Sequence, residues 1–279
     1  MLRTFVGLYL RELGGWISIS ALLELFADAE ISHSSTRSAV SRLKDKGELI
    51  PERRELLTGG GTGSSGVAGY RLDPRSLTDL ERGDRRIFSY RVQGGADDWC
   101  LVSYSLPEVD RVKRTQLRRQ LMGLGFGAVT DGLWIAPGHL LAEIEEALET
   151  LEVRDRATIF LTRTPLTSEP FEQAAAKWWD LDRLAGRHHE FLSRYEPVAE
   201  HLADGREAFT LWLRCVDDWK TIPYVDPGLP ASALPDGWPG DRSVALFALL
   251  RSRLEQPARD YVSSAAPRRQ WRSATKQDR

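Results

Sequence analysis

Apolar positions along the first 72 residues follow three successive helical periods and then an alternating one. Leu2, Phe5, Val6, Leu8, Tyr9 and Leu13 recur mostly at helical spacing and predict a helix over residues 2–13. Gly14 and Gly15 stop it, and Trp16–Ile17 reads as a short extended piece. Ser18 or Ser20 can cap a second helix carrying Leu22, Leu23, Leu25 and Phe26. Ile31 sits in the turn, and the stretch from Ser32 to Ser34 offers caps for a third helix, which Gly47 ends. On that helix Thr36, Ala39, Val40 and Leu43 share one face, while Ser34, Ser38, Ser41 and Asp45 project from the other. Arg37 and Arg42 flank the exposed face on its two sides. Beyond Gly47, Leu49-Ile50, Arg53-Arg54, Leu56-Leu57 and residues 67–72 read as a hairpin around a long glycine-rich tip, residues 59–66.

The next stretch changes period several times. Residues 99–106 form a strand closed by Pro107, and residues 108–124 form an amphipathic helix on Val109, Val112, Leu117, Leu121 and Leu124. Residues 126–129 and 133–136 pair across Asp131-Gly132. A helix over 139–151 and a strand over 157–162 complete a βαββαβ order, the split βαβ sandwich. Pro165 and Pro170 mark a boundary. Downstream the chain reads mostly helical: Trp178, Leu181, Leu184, His188, Phe191, Leu192 and Tyr195 lie near one stripe, residues 208–219 form an apolar helix, and a proline-rich loop over 226–240 leads to a last helix. The final dozen residues are polar and basic and predict a frayed tail.

The expected fold class is therefore α+β: an N-terminal winged helix-turn-helix over 1–75, a linker helix and ferredoxin-like domain over 76–165, and a mostly α-helical C-terminal domain over 166–279, whose apolar stripe suits a core or dimerisation surface. Charge refines the functional reading. The 279 residues carry 38 Lys plus Arg and 40 Asp plus Glu, so bulk charge gives no affinity for nucleic acid. Local charge does: residues 32–54 hold six basic and three acidic side chains. Hydroxyls of Ser34, Ser35, Ser38 and Ser41 can approach base edges in a major groove, while Arg37, Arg42, Lys44, Arg53 and Arg54 hold phosphates. The expected partner is double-stranded operator DNA.

Catalytic constellations are weak. Two distant cysteines, Cys100 and Cys215, make neither a disulfide framework nor a zinc cluster and fit a reducing cytosol. No apolar run is long enough to span a bilayer, and residues 1–11 lack a secretory pattern, so a cytoplasmic, membrane-free protein is expected. His188 and His189 are adjacent and do not make a metal pair; each is expected to be an exposed helical histidine. No phosphate-binding loop or nucleophile elbow occurs. No enzyme, metal or cofactor is expected. Arg111, Lys113, Arg114, Arg118 and Arg119 cluster on one helix, read as a solvated face.

The run GGWISISALLELFADAEISHSSTRSAVSRLKDKGEL resembles the start of the PaaX family, repressors of phenylacetic-acid degradation operons. LVSYSLPE, LRRQLMGLGFGAVTDGLWIAP and WWDLDRLAGRHHEFL resemble its middle and the start of its third region, and DPGLPASALPDGWPG with ALFALL resembles its C-terminal signature. The resemblance implies a homodimeric bacterial repressor released by an aryl-CoA thioester, typically phenylacetyl-CoA. Arg214, Trp219 and Lys220 are then candidates for the effector's phosphate and aryl groups. Asp217, Asp218, Trp219 and Lys220 stand where relatives often carry His, Glu, an aromatic and Arg, which implies an altered ligand if that segment senses it. The middle domain also resembles the small CRISPR-associated ferredoxin-like endoribonucleases. Those need a metal-binding Asp where this chain has Ser105, so the alternative of a metal-dependent nuclease lacks its charged ligand. A DNA-binding protein with no small-molecule effector is the other alternative.

Overall fold

The computed structural model describes residues 1–56, 66–200, 203–266 and 271–273. The chain divides into two compact units, one made of Met1–Arg85, Tyr195–Asp218 and Ala245–Arg279, the other of Arg86–Arg194 and Trp219–Val244. These limits differ from the three consecutive regions expected from composition. Helices of the third region are shared between the units.

The first unit opens with α1 (Leu2–Phe5), which continues as a π-helical stretch, Val6–Leu10. The predicted helix thus ends a turn early, where Gly15 N–H bonds Leu10 O at 2.8 Å. β1 (Trp16–Ser18) leads into α2 (Ile19–Asp28), whose N-cap is Ser18: its Oγ accepts from Ala21 N–H at 3.1 Å. α3 (His33–Asp45) is capped by Ser32, which accepts from Ser35 N–H at 3.2 Å. Gly47, at φ +73°, supplies the left-handed turn after α3 that a side chain would resist. β2 (Leu49–Leu56) and β3 (Val67–Leu72) pair antiparallel, with β1 beside β3 and β8 (Trp271–Ser273) beside β2. Residues 59–65 of the expected glycine-rich tip and most of the expected frayed tail lie outside the described residues, but residues 271–273 of that tail are paired strand.

α4 (Leu77–Phe88) follows the hairpin. The core of the first unit is aromatic. Phe5 meets Phe26 edge-on at 5.5 Å, and Phe209 of α9 (Gly205–Trp219) meets Phe5 at 6.4 Å and Tyr9 at 5.9 Å. Trp212 of α9 stacks on Phe247 of α11 (Gly240–Ala265) at 5.6 Å. Each such ring contributes about 1.5–3 kcal/mol by leaving water. The N-terminal helices are therefore closed by segments some 200 residues downstream, a pairing that local periodicity does not carry.

The second unit holds β4 (Trp99–Tyr104), α5 (Arg111–Gly123), β5 (Gly127–Thr130), β6 (Leu133–Pro137), α6 (Leu141–Thr150) and β7 (Ala157–Thr162). The sheet order is β5-β6-β4-β7, with every neighbour antiparallel. This is the strand order of the split βαβ sandwich predicted from the sequence. Strand alternation sorts the two faces. Cys100, Val102, Tyr104 and Trp134 meet Leu117 and Leu121 of α5 and Ile144 and Leu148 of α6. Trp99 and Ile135 on the opposite face meet Trp179, Leu181, Leu184 and Leu229. α7 (Phe171–Trp178), α8 (Leu181–Tyr195) and α10 (Thr221–Val225) belong to the helical part.

Residues 226–243 are held at both ends by one side chain. His188 Nε2 lies 2.8 Å from Asp226 Oδ2, and His188 Nδ1 lies 2.5 Å from Ser243 Oγ, whose hydroxyl donates to Gly240 O at 2.9 Å. The ring is fully buried, as is Ser243. This corrects the expectation of an exposed histidine: at i+4 from Leu184, His188 falls on the inward stripe of α8, where its polar atoms must be partnered. Gly228, at φ +74°, lies so close to Arg91 that a Cβ would meet its carbonyl oxygen at 1.9 Å.

Candidate nucleic-acid interface

The period of α3 sets what it offers outward. Thr36, Val40 and Leu43 are buried, whereas Ser34, Ser35, Arg37, Ser38, Ser41, Arg42 and Lys44 are all exposed. At 100° per residue, Ser34, Ser38 and Ser41 cluster opposite the buried stripe. Arg37 and Lys44 lie on one flank of that cluster and Arg42 on the other. Arg37, Arg42 and Lys44 make no side-chain hydrogen bond or ion pair with any described residue. Arg42 and Lys44 stand in the last turn of α3, where cations are favoured by the helix dipole. Ser34 and Ser35 are partly engaged in the cap: Ser32 Oγ lies 3.1 Å from Ser34 Oγ and donates to Ser35 Oγ at 2.9 Å.

Arg53 and Arg54 do not act as a pair. They are consecutive in β2, so they face opposite sides of the sheet. Arg53 is exposed and donates to Gly66 O across the hairpin at 2.6 Å. Arg54 is mostly covered: its guanidinium sits 5.1 Å over the Trp16 ring and bonds Glu52 at 3.0 Å. Glu52 also pairs with Arg71 at 3.3 Å. Trp16 in turn lies across Gly69, where a Cβ would be 2.4 Å from the ring. Arg54 thus ties the hairpin to β1. The period-2 rule already held this signal.

The expected effector residues are placed differently. The Trp219 ring is fully buried, and its N–H donates to Ile87 O at 3.0 Å. It presents no face to a ligand, because α9 turns it inward among aromatic neighbours, Phe191 at 5.2 Å and Tyr90 at 6.1 Å. Arg214 donates to Ala29 O at 3.0 Å and to Glu30 at 2.7 Å. Lys220 is partly buried and is engaged by a partner of its own. The second unit has a separate open cavity of about 360 Å³ lined by Val92, Leu229, Leu234, Trp238, Asp236 and Asp241, which includes none of the three.

The cations of α5 are largely satisfied within the second unit. Lys113 pairs with Glu152 at 3.3 Å, Arg114 bonds Leu106 O at 2.9 Å, and Arg118 pairs with Asp131 at 3.0 Å. Ser105 is exposed just past β4. Among the described residues no group of three or more His, Cys, Asp or Glu could hold a metal ion. Burial pushes the Cys100 thiol up to about 12 and raises the Cys215 thiol as well, so both stay protonated. No helix among the described residues is long and apolar enough to cross a membrane.

Three family descriptions match consecutive parts of the chain: PaaX-like protein over residues 1–58, PaaX protein central Cas2-like domain over 94–174, and PaaX-like protein C-terminal domain over 179–264. The chain belongs to the PaaX family. It is 23% identical over 272 residues to the transcriptional repressor PaaX of Escherichia coli strain K12, covering 94% of this chain and 82% of that protein. An uncharacterized protein from Mycobacterium tuberculosis has a similar fold, with a TM-score of 0.58, 23% identity, and coverage of 94% of this chain and 98% of that one. The Cas2-like part of this PaaX-family chain is the four-stranded sheet with α5 and α6. The C-terminal part contains His188 and the 226–243 segment that it holds.

Proposed function

We propose that this PaaX-family chain is a DNA-binding transcriptional repressor whose α1–α3 and β2–β3 hairpin act as a winged helix-turn-helix. The observation that carries the reading is the outer face of α3: Ser34, Ser38 and Ser41 lie between Arg37, Lys44 and Arg42, cations that no described residue pairs. Hydroxyls of this size approach base edges, and the flanking cations reach phosphates on either side of a major groove. Arg53 extends the positive surface along the hairpin, and similarity to the E. coli repressor supports the assignment. The protein acts as a homodimer, each copy reading one half-site of a near-palindromic operator. An aryl-CoA thioester such as phenylacetyl-CoA favours a dimer geometry that no longer matches the half-site spacing, and an operon of aromatic-acid catabolism is the regulated target.

The test is a gel shift on DNA upstream of this protein's own gene, with and without phenylacetyl-CoA. A specific complex released by the thioester is expected. A specific complex indifferent to it removes the effector and keeps the DNA reader. Absence of any specific complex there, and of any enriched sequence in an unbiased binding-site selection, overturns the DNA-binding reading.

A further inference from the structure

The first unit finishes its sheet with residues from far along the sequence. β8 pairs antiparallel with β2, setting Ser273 opposite Arg54, Arg272 opposite Glu55 and Trp271 opposite Leu56. The sheet order is β1-β3-β2-β8, so the β2–β3 hairpin gains an outer strand. β2 starts at Leu49, just after α3 and Gly47, and runs toward the hairpin tip. β8 therefore lies along the half of β2 nearer the tip. Its antiparallel sense puts Trp271 at the tip end, and Arg269 and Arg268 precede it by two and three positions. A chain spans at most about 3.6 Å per residue, so both Cα atoms fall within about 11 Å of that end.

The charge of this stretch is one-sided. Residues 261–277 hold four cations, Arg268, Arg269, Arg272 and Lys276, and no anion. The α3 stretch, residues 32–54, holds six cations and three anions. In a chain of formal net charge −2 such a surplus is local. A strand that only shields the β2 edge needs backbone groups and no charge. The β2 residues opposite β8 are Arg54, Glu55 and Leu56, which bring one anion for four cations. Glu55 opposite Arg272 suits the register and leaves the other three unbalanced.

We propose that β8 carries a basic arm that binds the DNA backbone beside the hairpin, extending the contact begun by α3. The inference rests on the DNA-binding reading above. Short basic arms hold the backbone or enter the minor groove beside a recognition helix in other DNA readers. Arg53 and Glu55 alternate onto one face of β2, so Arg272 takes its register position on the face that exposes Arg53. β8 thus continues outward the positive surface that Arg53 begins. Phosphate contacts made there add affinity and salt dependence, not base discrimination.

Fluorescence anisotropy on a labelled random-sequence duplex, across a salt series, tests the arm in the full-length protein. Arg268→Ala/Arg269→Ala is expected to reduce the slope of log affinity against log salt by about 2 and to weaken binding on the order of tenfold at about 0.15 M salt, with unchanged melting. Arg268→Lys/Arg269→Lys is expected to keep the wild-type slope. Leu56→Cys/Trp271→Cys is expected to cross-link on mild oxidation and still bind with the wild-type slope, because the strand stays on the hairpin when DNA binds. The native cysteines, Cys100 and Cys215, are buried and do not compete. A cysteine pair that does not link, or that abolishes binding once linked, overturns the placement of the arm. A slope that falls with Arg37→Ala but not with Arg268→Ala/Arg269→Ala overturns the arm and leaves the α3 reader standing. A wild-type protein that binds no duplex at low salt overturns both.

Discussion

His188 Nε2 lies 2.8 Å from Asp226 Oδ2, with both side chains almost wholly out of water. The same ring reaches Ser243 on its other side, so a single residue of α8 fastens both ends of the segment carrying the DPGLP and WPG sequences. Asp226 Oδ1 additionally accepts from Gly228 N–H at 2.8 Å, which leaves no lone oxygen for solvent. A serine, a histidine and an aspartate in this order resemble a hydrolase triad, but the serine is fully buried. The arrangement holds a loop.

His188→Ala is expected to destabilise the protein by about 3 kcal/mol, since it strands a buried carboxylate and a buried hydroxyl together. Ser243→Ala, which removes one neutral partner, is expected to cost about 1 kcal/mol. Chemical unfolding followed by tryptophan fluorescence measures both. Equal small losses would show that the ring is not the fastening.

The cations around α3 separate by role. Arg37→Ala and Arg42→Ala are each expected to weaken DNA binding and to reduce the slope of log affinity against log salt by about 1, with unchanged melting. Arg54→Ala is expected to leave that slope unchanged and to lower stability by about 1 kcal/mol, through loss of the Trp16 and Glu52 contacts. Fluorescence anisotropy across a salt series, paired with thermal melts, distinguishes the two outcomes.

Some of this was legible in the sequence. α2 and α3 with their serine caps, the hairpin and the βαββαβ order all follow from local period and punctuation, to within a few residues. The contacts of Phe5 and Tyr9 with Phe209 are not legible there, because nothing local marks a partner 200 positions away. His188 carries two opposed cues: its residue type favours the surface, while its spacing puts it on the buried stripe, and the spacing wins. Trp219 stands beside Arg214 and Lys220 in sequence, which suggests a shared site. Packing decides the matter instead, and it encloses the ring.

Trp219→Ala is expected to destabilise the fold by about 3–5 kcal/mol, as a large buried ring is removed. Trp219→Phe keeps most of the volume and is expected to cost less than half as much. Calorimetry on the two variants checks this. A stable Trp219→Ala protein that has lost only its ligand response would restore the ring to the effector site.

His139 gives the protein an acid limb. Burial, followed by the nearby Arg86 and Arg91 charges, lowers its pKa from 6.5 to about 4, and its Nδ1 is buried without a partner. The folded state therefore keeps the ring neutral where the unfolded chain takes up a proton. Stability is at its full value above pH 6.5 and declines as pH falls toward 4. His139→Gln is expected to flatten the change in melting temperature between about pH 7 and about pH 4.5. An unchanged slope would assign that limb to other groups.

The assembly of the first unit from Met1–Arg85, Tyr195–Asp218 and Ala245–Arg279 has a consequence for biosynthesis. At about 5–20 residues per second, α3 leaves the ribosome on the order of ten seconds before Phe209 arrives to cover Phe5 and Tyr9. A chain halted before residue 195 carries every serine and arginine of α3 but leaves the aromatic floor beneath it open to water. Expression of residues 1–85 alone is therefore expected to yield an aggregation-prone fragment rather than a miniature of the whole, because the segments that cover Phe5 and Tyr9 are missing.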